Sequence, residues 1–197
     1  MDIILASTSV YRRRLLQRLQ IPFRCIAPDA DESRLPGEQA VAMARRLALA
    51  KARSIAADYP DALVIGSDQV AAVDDRVVGK PGTHARACEQ LQDSSGREVR
   101  FYTGLALVCH SRSIERFHVE PFSVHFRALD QARIENYLQR EQPYDCAGSF
   151  KCEGLGIALF TRMDGDDPTS LEGLPLIALT NLLAEVGVDV LASRQAG

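Results

Sequence analysis

The segment Ser7-x-Ser9-x-x-Arg12-Arg13-Arg14 joins two serine hydroxyls to three guanidinium groups, between an apolar run and a helical pattern. Cations are disfavoured in the first turn of a helix, where the dipole is already positive, so an anion is the natural counterpart. Free backbone N–H groups, the hydroxyls of Ser7 and Ser9 and the forks of Arg12 and Arg13 form a cradle suited to a triphosphate. The alternative is a solvated arginine face, the commoner fate of such a cluster. Two carboxylates give a second signal. Asp68 follows an apolar run at 62–65, and Glu32 sits in an acidic loop after another at 23–27. Carboxylates at the ends of neighbouring strands bind Mg²⁺ through oxygen or orient a water for attack on phosphorus. Turn and capping carboxylates look the same in sequence.

Lys51, interrupting an alanine-rich helical face, and Lys80, between Gly79 and Pro81, supply point charges for phosphate. Singly, each reads as a solvated lysine. Jointly, a basic and two acidic loops after three strands point to one phosphate and one metal at a shared site. A later segment, Gly148-Ser149-Phe150-Lys151-Cys152-Glu153-Gly154, permits close backbone approach and offers Phe150 either to a base or to the core. Asp164-Gly165-Asp166-Asp167-Pro168 and Gly173-Leu174-Pro175 follow it. No G-x-x-x-x-G-K-[ST], G-x-G-x-x-G, H-E-x-x-H or G-x-S-x-G motif occurs. His84, His110, His118 and His125 show no ligand spacing, and the cysteines have no activating neighbours.

The elements that must hold these groups read as one mixed α/β unit. Strands are predicted at 3–6 and 23–27, with a helix between them through Leu15, Leu16 and Leu19 that stops at Ile21-Pro22. A long helix at 38–59 carries Val41, Ala44, Leu47, Ala48, Ala52 and Ile55 on one face. The run at 62–65 ends at Gly66-Ser67-Asp68-Gln69, and a hairpin follows at 70–73 and 76–78 around Asp74-Asp75. Thr83 caps a helix to about Gln92, and strands follow at 98–103, 105–110 and 114–126, with a turn at 111–113. Asp130 caps a helix through Ile134, Tyr137 and Leu138. A strand pattern at 154–160 and a helix from Pro175 to Gly187 complete the chain. Residues 1–192 form a single domain, with a short tail at 193–197.

With 197 residues, 46% of them hydrophobic and 25% charged, the chain is of ordinary globular composition. Its net charge of −3 argues against a general nucleic-acid coat or a membrane-surface binder, so any basic site is local. Five cysteines without a C-x-x-C pair fit neither a disulfide framework nor a structural zinc site and predict a reducing, cytoplasmic setting. No secretory leader and no apolar run long enough to span a bilayer is read.

Taken in order, Leu5-Ala6-Ser7-x-Ser9 with Arg12-Arg13, Asp31-Glu32, Lys51-Ala52, Gly66-Ser67-Asp68, Gly79-Lys80-Pro81, Phe101-Tyr102-Thr103-Gly104 and Gly173-Leu174-Pro175 resemble the Maf nucleotide pyrophosphatases over nearly the whole chain. The resemblance implies an elongated mixed β-sheet flanked by helices, two lobes with a central cleft, and hydrolysis of a nucleoside triphosphate to monophosphate and pyrophosphate. It implies Asp68 as proton acceptor and Glu32 and Asp68 as ligands of Mg²⁺ or Mn²⁺. It also implies Ser7, Ser9, Arg12, Arg13, Lys51 and Lys80 as substrate-binding residues. Gln69 and Glu153 depart from the dTTP/UTP branch, in which Thr and Gln are expected. With Arg12 they mark base preference and resemble the branch acting on 7-methyl-GTP, whose N7 methylation places positive charge on guanine. A carboxylate at Glu153 and an aromatic face at Phe150 suit such a base, unless Glu153 pairs with Arg12 or Lys151 instead. The implied partner is a small nucleotide, with no stable nucleic acid and no membrane, and a homodimer is left open. The competing readings are a dTTP/UTP pyrophosphatase and a non-hydrolytic nucleotide-binding regulator of cell division.

Overall fold

A computed structural model of the chain describes residues 2–74 and 76–192; the expected tail at 193–197 and Asp75 of the expected hairpin turn lie outside them. The strands among the described residues form one seven-stranded sheet ordered β2-β1-β3-β5-β6-β7, with β4 also paired to β3. β1 (Ile3–Ala6), β2 (Arg24–Ile26) and the first half of β3 (Leu63–Val73) run parallel. β4 (Arg76–Val78), β5 (Glu98–Cys109), β6 (Ile114–Phe126) and β7 (Phe160–Asp164) join antiparallel. The expected α/β architecture is present.

Three long strands run unbroken through two lobes. In the first lobe, Leu5, Ile65, Leu105 and Leu107 pack against Leu15 and Leu16 of α1 (Val10–Gln17) and Leu179 and Leu183 of α5 (Leu176–Glu185). On the other face, Ile4, Val64 and Val108 meet Ala48, Ala52 and Ile55 of α2 (Ala40–Asp58). In the second lobe, Val73, Val99, Phe101 and Val124 pack on Leu91 of α3 (His84–Ser94) and Ile134 and Leu138 of α4 (Gln131–Glu141). Thr83 and Asp130 cap α3 and α4 as expected, accepting from the backbone N–H of Arg86 and Arg133.

Two strands differ from the sequence reading. Gly66-Ser67-Asp68-Gln69 does not end a strand, and Gly104 does not divide one: β3 and β5 continue through both and pair with each other there, Gly66 opposite Ala106 and Asp68 opposite Gly104. The glycines are where the helix comes closest to the sheet. A Cβ on Gly66 would lie 2.2 Å from the carbonyl oxygen of Ala48, and one on Gly104 would lie 2.1 Å from that of Ala44. The Ala44, Ala48, Ala52 ridge of α2 thus presses onto a side-chain-free furrow. The expected strand at 154–160 is a 3₁₀ segment, Leu155–Leu159, with β7 starting only at Phe160. There the Leu155 amide donates to the Glu141 carboxylate instead of to a neighbouring strand.

Candidate active site

The edge of β3 is shared by two short strands that do not meet. β1 pairs with it up to Ala6 opposite Gly66, and β4 begins again at Val78 opposite Ala71. Residues 67–70 have β5 on one side and, among the described residues, no strand on the other. The chain leaving β1 carries Ser7, Ser9 and Arg12, and the chain leaving β4 carries Lys80. Two segments with basic side chains therefore flank the gap from opposite sides, with Asp68 and Gln69 between them. A cleft of about 890 Å³ opens here, the size of a small-ligand site.

Alternation along β3 sends Asp68 to the α2 face, with Gly66 and Val70, and Ser67 and Gln69 to the opposite face. Lys51, near the middle of α2, is 6% exposed, and its ammonium lies 2.5 Å from Asp68 Oδ1 and 2.6 Å from Glu32 Oε1. Asp68 is itself only 8% exposed. The Glu32 carboxyl is held below its ordinary range, first by its hydrogen bond from Lys51. The two carboxylates expected at strand ends do converge, but through a lysine, and Lys51 in this state grips carboxylates and not an open phosphate position.

Across the gap, Ser9 caps α1 by accepting from the Arg12 N–H, and Ser7 Oγ accepts from the Ser9 N–H. Arg12 Nε donates to the Gly173 carbonyl at 2.8 Å, fixing the guanidinium over the cleft. Burial lowers its pKa, an effect that Asp68 and Glu32 oppose. On the opposite face, Ser67 Oγ also bonds the Gly173 carbonyl, and Gln69 Nε2 donates to Thr103 Oγ1 and to the carbonyls of Ser170 and Leu171. Gln69 thus fixes the 168–174 segment, whose own brace is the buried Asp167, accepting from Thr169 and from the Ile177 amide at the start of α5.

Ser7, Ser9, Arg12, Glu32, Lys51, Asp68, Gln69, Lys80 and Glu153 all line this one cleft. Arg13 does not: it is exposed on α1 beyond the lining, whereas Arg14 contributes to it. Phe150, expected as a possible stacking ring, borders the cleft but is 5% exposed and stands edge-on to Phe101, Phe126 and Phe160, so it packs chiefly in the core. The aromatic ring more open to the cleft is Tyr11, within electrostatic reach of Glu153. Glu153 is exposed and, among the described residues, makes no ion pair. Arg12 is engaged with Gly173, and Lys151 lies 4.0 Å from Asp145.

Sequence reasoning missed Glu172. It lines the cleft, and burial, followed by the charge of Glu153, raises its carboxyl above the ordinary range. Its position directly before Gly173-Leu174-Pro175 was the available signal. The cleft thiols are unsuited to nucleophilic work: burial pushes Cys146 up to about 12 and raises Cys152 as well. The cleft lining carries both charges: Arg12, Arg14, Lys51 and Lys80 with Glu32, Asp68, Asp145, Glu153 and Glu172, of which Glu32 and Asp68 are paired with Lys51.

A buried carboxylate-ammonium pair in a cleft lined by further charged side chains is an arrangement typical of α/β enzymes. A family model described as Maf-like protein matches residues 2–186, and the chain belongs to the Maf family. Relatives named 7-methyl-GTP pyrophosphatase include one from Pseudomonas savastanoi pv. phaseolicola, 55% identical over 189 residues, covering 96% of this chain and 98% of that protein. Another, from Nitrosococcus oceani, is 56% identical over 189 residues, covering 96% and 95%. A third, from Colwellia psychrerythraea, is 48% identical over 192 residues, covering 98% and 96%. Among solved structures, that of the Staphylococcus aureus Ham1 protein aligns with a TM-score of 0.47 and 15% identity, over 64% of this chain and 72% of that one. Among the described residues, no helix is long and apolar enough to cross a membrane.

Proposed function

We propose that the chain hydrolyses the α–β phosphoanhydride of a nucleoside triphosphate, 7-methyl-GTP above others, releasing the monophosphate and pyrophosphate. The observation that carries this reading is one cleft lined by both charges: Arg12 and Lys80 for an anionic tail, and Glu153, exposed and without an ion pair among the described residues, for a cationic base. The names of the relatives support the same substrate. A base that carries positive charge gains more from the carboxylates of Glu153 and Glu172 and from the face of Tyr11 than an uncharged one does.

The chemistry falls to Asp68. With Oδ1 engaged by Lys51, the Asp68 carboxylate accepts a proton from water as the water oxygen bonds to the α-phosphorus. The bond from the α-phosphorus to the bridging oxygen breaks, and its electron pair leaves with pyrophosphate. Arg12 and Lys80 stabilise the charge that accumulates on the leaving group, and the hydroxyl of Ser7 and the α1 N-terminus orient the phosphates. Lys51 holds Asp68 aligned before substrate arrives.

A hard divalent cation fits this donor set. Glu32 and Asp68 already converge on one positive centre, the Lys51 ammonium, and both are hard oxygen donors. These two residues would hold Mg²⁺ or Mn²⁺, which when bound polarises phosphate oxygens.

Pyrophosphate release from 7-methyl-GTP, GTP, dTTP, UTP and CTP, with either metal, tests the proposal on wild type, Asp68→Asn and Glu153→Gln. The expected result is selectivity for 7-methyl-GTP that weakens in Glu153→Gln, and loss of turnover in Asp68→Asn with nucleotide binding retained. Release mainly from dTTP or UTP refutes the base assignment. No release from any substrate, with binding intact, favours a regulator that only holds nucleotide.

A further inference from the structure

Away from the cleft lining, α3 and α4 bring together a side-chain set that the proposed hydrolysis does not use. We infer that His84, Cys88 and Glu135 form a site for a thiophilic divalent cation of the Zn²⁺ class. His84 and Cys88 are four residues apart on α3, which puts both on one helical face, and Glu135 reaches them from α4. One donor atom from each lies within 4.8 Å of the others. His84 Nε2 is 2.9 Å from Glu135 Oε2, and Cys88 Sγ is 3.9 Å from the same oxygen.

The orientation of the imidazole is set from behind. His84 Nδ1 lies 2.9 Å from the Tyr144 hydroxyl, the outer-shell hydrogen bond that fixes the tautomer of a metal-binding histidine. With Nδ1–H donated to Tyr144, the Nε2 lone pair faces a carboxylate at hydrogen-bond distance, an arrangement that needs a proton or a cation between them. The three side chains are half-buried, so solvent supplies the fourth position of a tetrahedral ion. Thiolate, imidazole and carboxylate together select Zn²⁺ or Co²⁺ over Mg²⁺, which prefers an all-oxygen shell. The sequence reading saw scattered histidines and unpaired cysteines because the third ligand is 47 residues from Cys88 and arrives only through helix packing.

Ligation here would tie the first turn of α3 to α4. That turn follows the 79–82 segment carrying Lys80, and the Gly82 amide donates to the carbonyl of Tyr144. The site is thus an outer clamp on one wall of the cleft, independent of the reaction within it.

Cobalt substitution provides the test. Chelator-treated full-length protein is titrated with Co²⁺, and the sulfur-to-cobalt charge-transfer absorption is followed, with Zn²⁺ competition giving affinity. One equivalent is expected to produce the band, which disappears in Cys88→Ser and His84→Ala and persists in Cys25→Ser, Cys146→Ser, Cys152→Ser and Asp68→Asn. Glu135→Gln, which keeps a partner for His84, and Tyr144→Phe are each expected to weaken Zn²⁺ binding about tenfold or more. Circular dichroism checks that each variant is folded. No band in the wild type, or a band that survives in folded Cys88→Ser, overturns the assignment.

Discussion

Gly66→Ala tests whether the helix-sheet contact sets the geometry of the cleft. The added methyl would sit 2.2 Å from the Ala48 carbonyl oxygen, 2.8 Å from the Ala52 nitrogen and 2.9 Å from its Cβ. These are backbone and short side-chain atoms that cannot swing aside. Restoring an ordinary contact of 3.4 Å requires α2 to retreat by about 1.2 Å at this point. Overpacking of this kind costs about 1–3 kcal/mol, or roughly 3–10 °C in Tm for a chain of this length. Ala48 and Ala52 bracket Lys51, so the same retreat draws the ammonium from its 2.5 Å contact with Asp68. Since a misplacement of about 1 Å in a catalytic constellation costs on the order of 100-fold, kcat/KM for pyrophosphate release should fall about that much below the melting transition. Gly79→Ala, where a Cβ meets nothing within 4 Å, is the stability control. If Gly66→Ala matched wild type in both melting and kcat/KM, the proposed close approach would not govern the site.

Lys51→Met leaves Asp68 buried without its ammonium, and denaturant unfolding at neutral pH should show a loss of about 3 kcal/mol together with loss of turnover. Glu172, raised by burial and by Glu153, gives up its charge as pH falls through that raised value, and a cationic base then loses attraction. KM for 7-methyl-GTP should therefore climb toward acid pH before KM for GTP does, and the difference should flatten in Glu172→Gln. Glu98 is depressed from 4.5 to about 2 by hydrogen bonds from Arg100 and Ser123. A depressed carboxyl stabilises above its unfolded pKa and loses that contribution as pH falls through the folded one, so the Tm gap between wild type and Glu98→Gln should shrink below 4.5 and vanish near 2. Asp167→Ala orphans the amides of Thr169 and Ile177, and calorimetry should register a destabilisation of about 3 kcal/mol.

Local periodicity revealed most of the elements because their signals are local: the alanine ridge of α2, the caps at Thr83 and Asp130, and Pro175 at the start of α5. It divided β3 and β5 at their glycines because a turn glycine and a packing glycine look alike until the helix above them is known. The charged residues of the cleft were legible by type, and most of them line it. Their arrangement was not, because the gap between β1 and β4 depends on pairings that no short window contains. Arg13 and Phe150 show the same limit. An arginine beside a site residue on α1 is about 100° away around the helix, and a phenylalanine among glycines is as useful to a core as to a ligand.

The continuity of β3 through Asp68 also bears on how the molecule breathes. A carboxylate on a loop follows every local opening of that loop, but Asp68 is stitched to β5 and moves only when the centre of the sheet parts. Opening free energies should therefore divide within the cleft. Amides of the 28–37 and 79–82 segments should exchange with solvent through small fluctuations, whereas the hydrogen-bonded amides of β3 around Asp68 should wait for global unfolding. A ligand can then enter and leave by movement of the rim while the carboxylate proposed to react stays fixed. Thermal inactivation should coincide with loss of the whole fold and not precede it.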